Sequence, residues 1–185
     1  MKRKLRIKTW VALLAVVCLM TVSFSGCYVV KLAEVMGDKT LESQDGEYSI
    51  TMTAGWRDAA GELNDYAVLE AAVPAKEKYV AVIPYTKEEL ESDMTLEDVT
   101  DILVQEIAGG VTGGTVSEES TVQIAGRSAS IARVDGTVDN LKVTYWISCL
   151  ETDDSFVEIL GWTLANRADA NKKDIQSVMC SLQVN

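Results

Sequence analysis

The stretch Leu141–Leu150 restricts the fold of this chain more than any other. Leu141, Val143, Tyr145, Ile147 and Cys149 recur at every second position. A helix would scatter them around its axis, whereas a strand sets them on one face. The same period runs through Gly46–Thr53, where Tyr48, Ile50 and Met52 share one face and Ser49, Thr51 and Thr53 the other. Tyr66–Val73 and Lys78–Ile83 read as two further strands around Pro74-Ala75-Lys76-Glu77, with Pro84 ending the second. Thr115–Ile124, Arg127–Val134 and Ser155–Leu164 complete a meander with the first stretch. Its turns are Ala125-Gly126 and Asp153-Asp154, with a connection from Asp135-Gly136 to Asp139-Asn140. Hairpin connections make such neighbours antiparallel.

Helical spacing interrupts this pattern twice. Leu96, Val99, Ile102, Leu103 and Ile107 follow three- and four-residue steps. Thr95 stands where an N-cap belongs, with Asp98 three positions on to return the bond, and Gly109-Gly110 ends the run. Asn166 is the expected cap of a last helix through Cys180, with Ile175, Val178 and Met179 on its inner side. Thr86–Asp93 reads as a short acidic helix or loop, and Gly109–Gly114 as a mobile connection. The expected class is α+β, a mainly antiparallel sheet flanked by helices.

The N-terminus has a different character. Lys2, Arg3, Lys4, Arg6 and Lys8 precede an apolar run from Trp10 through Phe24, and Ser25-Gly26-Cys27 follows. The run is about 15 residues, short of the roughly 20 a membrane span needs. A basic start, an apolar centre and small residues form the layout of a secretory signal peptide. Phe24-Ser25-Gly26-Cys27 resembles the lipobox of bacterial lipoproteins, with Phe24 where Leu is usual. That resemblance implies lipidation of the Cys27 thiol and cleavage after Gly26. The expected organisation is a signal peptide over 1–26, a lipidated tether over 27–45 and one domain over 46–185. The expected location is the extracytoplasmic face of the cell membrane.

Five of the 17 Lys and Arg and none of the 28 Asp and Glu lie in residues 1–26, leaving 12 cations against 28 acids, a formal charge of −16. So acidic a chain is a poor partner for nucleic acid. It contains no histidine, which removes Ser-His-Asp and Cys-His catalysis and His-ligated zinc together. Acidic runs at Glu88-Glu89-Glu91-Asp93 and at Glu151 with Asp153-Asp154 lack calcium-loop spacing, so no metal and no cofactor is expected. Cys149 and Cys180 are a candidate disulfide if the last helix packs on the Tyr145 face; two free thiols are the alternative. Trp56, Trp146 and Trp162 are core anchors or, alternatively, the lining of a ligand or partner surface. Trp146 is the least secure core residue, because it lies opposite the Val143/Tyr145/Ile147 face.

Tyr48-Ser49-Ile50 with Gly55-Trp56, a central long helix, and Phe156–Thr163 followed by Asn166, Ile175 and Ser181-Leu182 stand in an order that resembles the PsbP-like superfamily. The resemblance spans about residues 44–184 and implies a three-layer α/β/α sandwich. It implies no single function, since members bind different partners. The expected role is therefore non-enzymatic, a lipoprotein that meets another envelope or secreted protein. A small-ligand-binding lipoprotein is the alternative, and an envelope hydrolase using two carboxylates comes third.

Overall fold

A computed structural model describes residues 37–90 and 93–185. Residues 1–36, which hold the expected signal peptide, Gly26, Cys27 and the first part of the tether, lie outside the described residues, as do Glu91 and Ser92.

Ten strands and two α-helices are described. The strands are β1 (Lys39–Glu42), β2 (Tyr48–Met52), β3 (Arg57–Asp58), β4 (Leu69–Val73) and β5 (Lys78–Thr86), then β6 (Thr112–Ile124), β7 (Arg127–Val138), β8 (Leu141–Glu151), β9 (Ser155–Leu164) and β10 (Gln183–Val184). Helix α1 is Leu96–Gly110 and α2 is Ala168–Cys180. Seven strands form an antiparallel sheet in the order β3-β4-β5-β9-β8-β7-β6, and β1-β2-β10 form a second, smaller one. The expected α+β class and layered arrangement are present.

The two-residue period has a direct structural meaning in β8 and β9. Tyr145, Ile147, Cys149, Phe156 and Leu160 point to one face, where Val99, Leu103, Val104 and Ile107 of α1 cover them. Trp146, Leu150, Val157 and Ile159 point to the other, under Ile175, Val178 and Met179 of α2 and Tyr48, Ile50 and Met52 of β2. Each such apolar side chain contributes about 1.5–3 kcal/mol on burial. α1 starts as its sequence predicts: Thr95 accepts from the Asp98 N–H at 3.2 Å, and Asp98 accepts from the Thr95 N–H at 3.0 Å.

Several expectations are corrected. Pro84 lies inside β5, opposite Val157 of β9. The β4–β5 ladder has already ended at Leu69↔Val82, so β5 is an open edge on that side and a missing N–H costs nothing. Asp135-Gly136 belongs to β7, and the turn is Asp139-Asn140 alone, with φ of 48° and 67°. Ala125-Gly126 has the same two-residue form, with φ of 49° and 72°. Positive φ at both positions is the type I′ geometry that matches strand twist. Asn166 does not cap α2. It sits in a 3-10 turn, Ala165–Arg167, that runs straight into the helix, so Arg167 takes the position before α2 without a side-chain cap.

Gly109-Gly110 ends α1 without a left-handed glycine cap, since the chain leaves through extended Val111. The glycines that follow allow close passage rather than mobility. A Cβ on Gly114 would stand 2.1 Å from the Ala108 carbonyl oxygen, so only a bare backbone can start β6 across the helix end. Residues 39–45, read as tether, belong to the domain, because β1 pairs Leu41 with Ile50 and Thr40 with Thr51. Among the described residues no helix is long and apolar enough to cross a membrane.

Candidate functional site

The three tryptophans are structural. Trp56, Trp146 and Trp162 are 4%, 0% and 8% exposed. They pack in the core on either face of the large sheet, so their rings do not form an exposed surface. Trp146, the residue expected to be least secure, is enclosed between Gly161 on β9 and the α2 layer. Trp162 stacks on Tyr79 with ring centres 5.3 Å apart and meets Tyr145 at 6.4 Å. Trp56 spends its indole N–H within the chain, donating to Asp174 Oδ1 at 3.3 Å.

That last bond belongs to a buried polar knot. Lys78, at the start of β5, is 3% exposed and pairs its ammonium with Asp174 of α2. Its Nζ also lies 4.9 Å from the centre of the Trp56 ring. Thr53 Oγ1 donates to Asp174 at 2.9 Å. Burial opposes the Asp174 charge, yet the bonds from Lys78, Thr53 and Trp56 outweigh it and hold the carboxyl below the ordinary carboxylate value. The knot locks the β2–β3 turn, β5 and α2 together.

Cys149 and Cys180 are free. The condition for a disulfide fails: α2 packs on the Trp146 face, whereas Cys149 points into the Tyr145 face under α1. The sheet separates the two sulfurs. Burial pushes the Cys149 thiol up to about 12, so it is protonated and unreactive.

Among the described residues two carboxylates are buried. Glu70 of β4 accepts from the backbone N–H groups of Glu62 at 3.0 Å, Leu63 at 3.1 Å and Asn64, so it organises the loop from Ala59 to Val68. Burial pushes its pKa up, while these bonds draw it down. Glu158 of β9 is 3% exposed and accepts from Tyr85 Oη at 2.8 Å. Burial pushes it up to about 7; the Tyr85 bond opposes this and repulsion from Glu106 adds to it.

An open groove of about 410 Å³ lies at the end of the large sheet. Lys87 comes from the 3-10 turn after β5, Leu96 from the first residue of α1, Arg127 and Ser128 from the start of β7, and Leu150 and Glu151 from the end of β8. Thr152 and Asp153 of the following turn complete it. Lys87 Nζ pairs with Glu151 Oε1 at 2.8 Å and lies 5.3 Å from the Phe156 ring centre. Arg127 donates to the Glu151 carbonyl oxygen. Glu151 and Asp153 thus share the groove, but Lys87 already neutralises Glu151. Glu158, whose raised pKa would suit a general acid, is enclosed under α1 and is not part of the groove lining. The groove offers charges of both signs, two hydroxyls and a small apolar floor. No histidine exists to activate Ser128. Spacing in the sequence did not point to the groove, whose residues come from five separate segments. Among the described residues no group of three or more His, Cys, Asp or Glu is placed to hold a metal ion.

No family model and no curated protein matches the sequence. Solved structures do. LpqN of Mycobacterium tuberculosis, involved in cell envelope biogenesis, is 11% identical; the match covers 80% of this chain and 91% of LpqN, with a TM-score of 0.56. A Bacteroides thetaiotaomicron structure is also 11% identical, over 81% of this chain and 49% of its own, with a TM-score of 0.54. The cyanobacterial PsbP (CyanoP) of Synechocystis is 16% identical over 87% of this chain and 98% of its own, with a TM-score of 0.49. The chain therefore shares its overall fold with LpqN.

Proposed function

We propose that this chain is a lipid-anchored extracytoplasmic protein whose PsbP-like domain has a non-enzymatic, protein-binding or accessory role at the cell envelope. The observation that carries the reading is Phe24-Ser25-Gly26-Cys27 directly after five cations and an apolar run. A thiolate is a strong nucleophile, which suits acyl attachment at Cys27. Two acyl chains give stable anchoring where one gives marginal binding. The shared fold of LpqN, itself involved in cell envelope biogenesis, supports the location. The non-enzymatic reading is supported by the lack of histidine and by the enclosure of the carboxyl with the raised pKa. The partner is another envelope or secreted protein, and the charge of −16 on residues 27–185 favours a basic one.

Metabolic labelling with palmitate tests the anchor. The wild type incorporates label and partitions with membranes, and Cys27→Ala abolishes both. Label retained in that variant, or a mature N-terminus other than Cys27, overturns the assignment. Crosslinking of the anchored wild type followed by pull-down tests the role. Recovery of one partner that the Cys27→Ala form fails to meet supports it, and recovery of no specific partner removes it.

A further inference from the structure

We propose that Glu158 makes the hold of α1 on the sheet respond to pH, tight while the carboxyl is protonated and loosened once it ionises. The placement carries the argument. Glu158 lies in β9, between β5 and β8, on the face that α1 covers. Its cross-strand neighbours are Ile83 and Cys149. Phe156 and Leu160 flank it on the same face of β9, in the apolar cluster to which α1 contributes Val99 and Leu103. A charge set in such surroundings is costly without a compensating cation.

The titratable groups that face Glu158 come from each element packed against it. β5 supplies Tyr85, whose hydroxyl donates at 2.8 Å and is itself held protonated by burial. β8 supplies Cys149, whose thiol burial keeps neutral. α1 supplies Glu106, whose charge repels. None of these is a cation. One neutral hydrogen bond cannot offset the burial of a full charge, so the folded carboxyl holds its proton up to about pH 7, against 4.5 in an unfolded chain. Because the folded value is raised, this group's contribution is complete below pH 4.5 and is lost as pH rises through about 7. Loosening of α1 gives the carboxylate the water it lacks. Hydration through the sheet side is blocked by β5, β8 and the second layer. A domain at the location proposed above would meet the pH of its surroundings, so α1 is the layer through which that pH reaches the fold.

The test is amide hydrogen exchange of the full chain in detergent micelles between pH 5 and pH 8, corrected for the intrinsic dependence of exchange on pH. The opening equilibrium of Leu96–Gly110 is expected to rise roughly fifty- to a hundredfold over this range. Peptides from Tyr48–Met52 and Ala168–Cys180 should change far less. Glu158→Gln, which keeps an acceptor for Tyr85, should flatten the α1 response. Tyr85→Phe removes the bond that favours the charged form and should extend the rise to higher pH. The proposal is overturned if α1 protection is flat with pH, if Glu158→Gln retains the full response, or if α2 and β2 open in step with α1. Should Glu158→Gln not fold, the direction of the Tyr85→Phe shift decides, and a shift to lower pH or none refutes the role of Glu158.

Discussion

Gly161 lets α2 approach the large sheet closely, and replacing it by alanine should loosen that contact. It lies in β9 opposite Trp146 and faces the α2 layer. A Cβ there would stand 2.5 Å from Ile175 Cγ2 and 2.8 Å from Met179 Sδ. Carbon pairs rest at about 3.5–4.0 Å, so roughly 1 Å of overlap must be relieved. Met179 can swing its sulfur aside, but the branched Ile175 is stiff at χ1, so α2 itself must move outward. Overpacking of this kind costs about 1–3 kcal/mol. Against it stands a gain of about 0.5–1 kcal/mol from removing a glycine within a strand. The net expectation for Gly161→Ala is a loss of about 0.5–2 kcal/mol, or about 2–6 °C in Tm. Urea unfolding followed by tryptophan fluorescence reads it directly, because Trp146 is the cross-strand neighbour of Gly161. Ile175→Leu moves the branch away from Cβ at constant volume and should recover more than half of the loss in the double variant. A Gly161→Ala protein as stable as wild type, or more stable, would refute the reasoning.

Three further outcomes are expected. Ala125 sits at φ of 49° in its hairpin turn; Ala125→Gly relieves a left-handed conformation that costs about 1–2 kcal/mol, less the added chain entropy of glycine, and should raise stability by about 0.5–1 kcal/mol in urea. Ser148 Oγ is buried with no hydrogen-bond partner among the described residues, so Ser148→Ala should be neutral or stabilising by about 1 kcal/mol, and a clear loss would reveal a bond the fold requires. The lowered pKa of Asp174 contributes stability above its ordinary value of 3.8 that is lost as pH falls through the folded value. The urea midpoint of the wild type should therefore drop below about pH 4, and Asp174→Asn should show a shallower drop.

Legibility in the sequence followed how locally each feature is encoded. α1 could be read because its capping box, its apolar spacing and its end all lie within sixteen positions, Thr95 to Gly110. β8 could be read because its apolar period is unbroken. Its second face stayed open between burial under a helix and exposure, because Thr144 and Ser148 flank Trp146 there; in the structure all three are buried. Nothing local in β8 states that a distant helix will cover it. The cysteine pairing depended on that same choice of face. β1 escaped notice because Lys39-Thr40-Leu41-Glu42 has no apolar alternation, and its place is set by backbone pairing with β2. The groove drew Lys87, Arg127 and Thr152 together from separate elements, which spacing alone cannot reveal.

The small sheet has a consequence for the order of assembly. β2 lies between β1, just before it in the chain, and β10, near its end, with Ser49 opposite Gln183. Ser181 also donates to Thr51 O and accepts from Thr51 N, contacts that span 130 positions. A chain delivered N-terminus first can therefore build the large sheet while β2 still lacks one neighbour. The last strand closes the domain like a clasp, and such long-range closure is slow. A chain stalled or trimmed just after Leu182 would keep that core residue and most of its strands yet leave one flank of β2 open to other chains, so loss of the last few residues acts on solubility before it acts on the core.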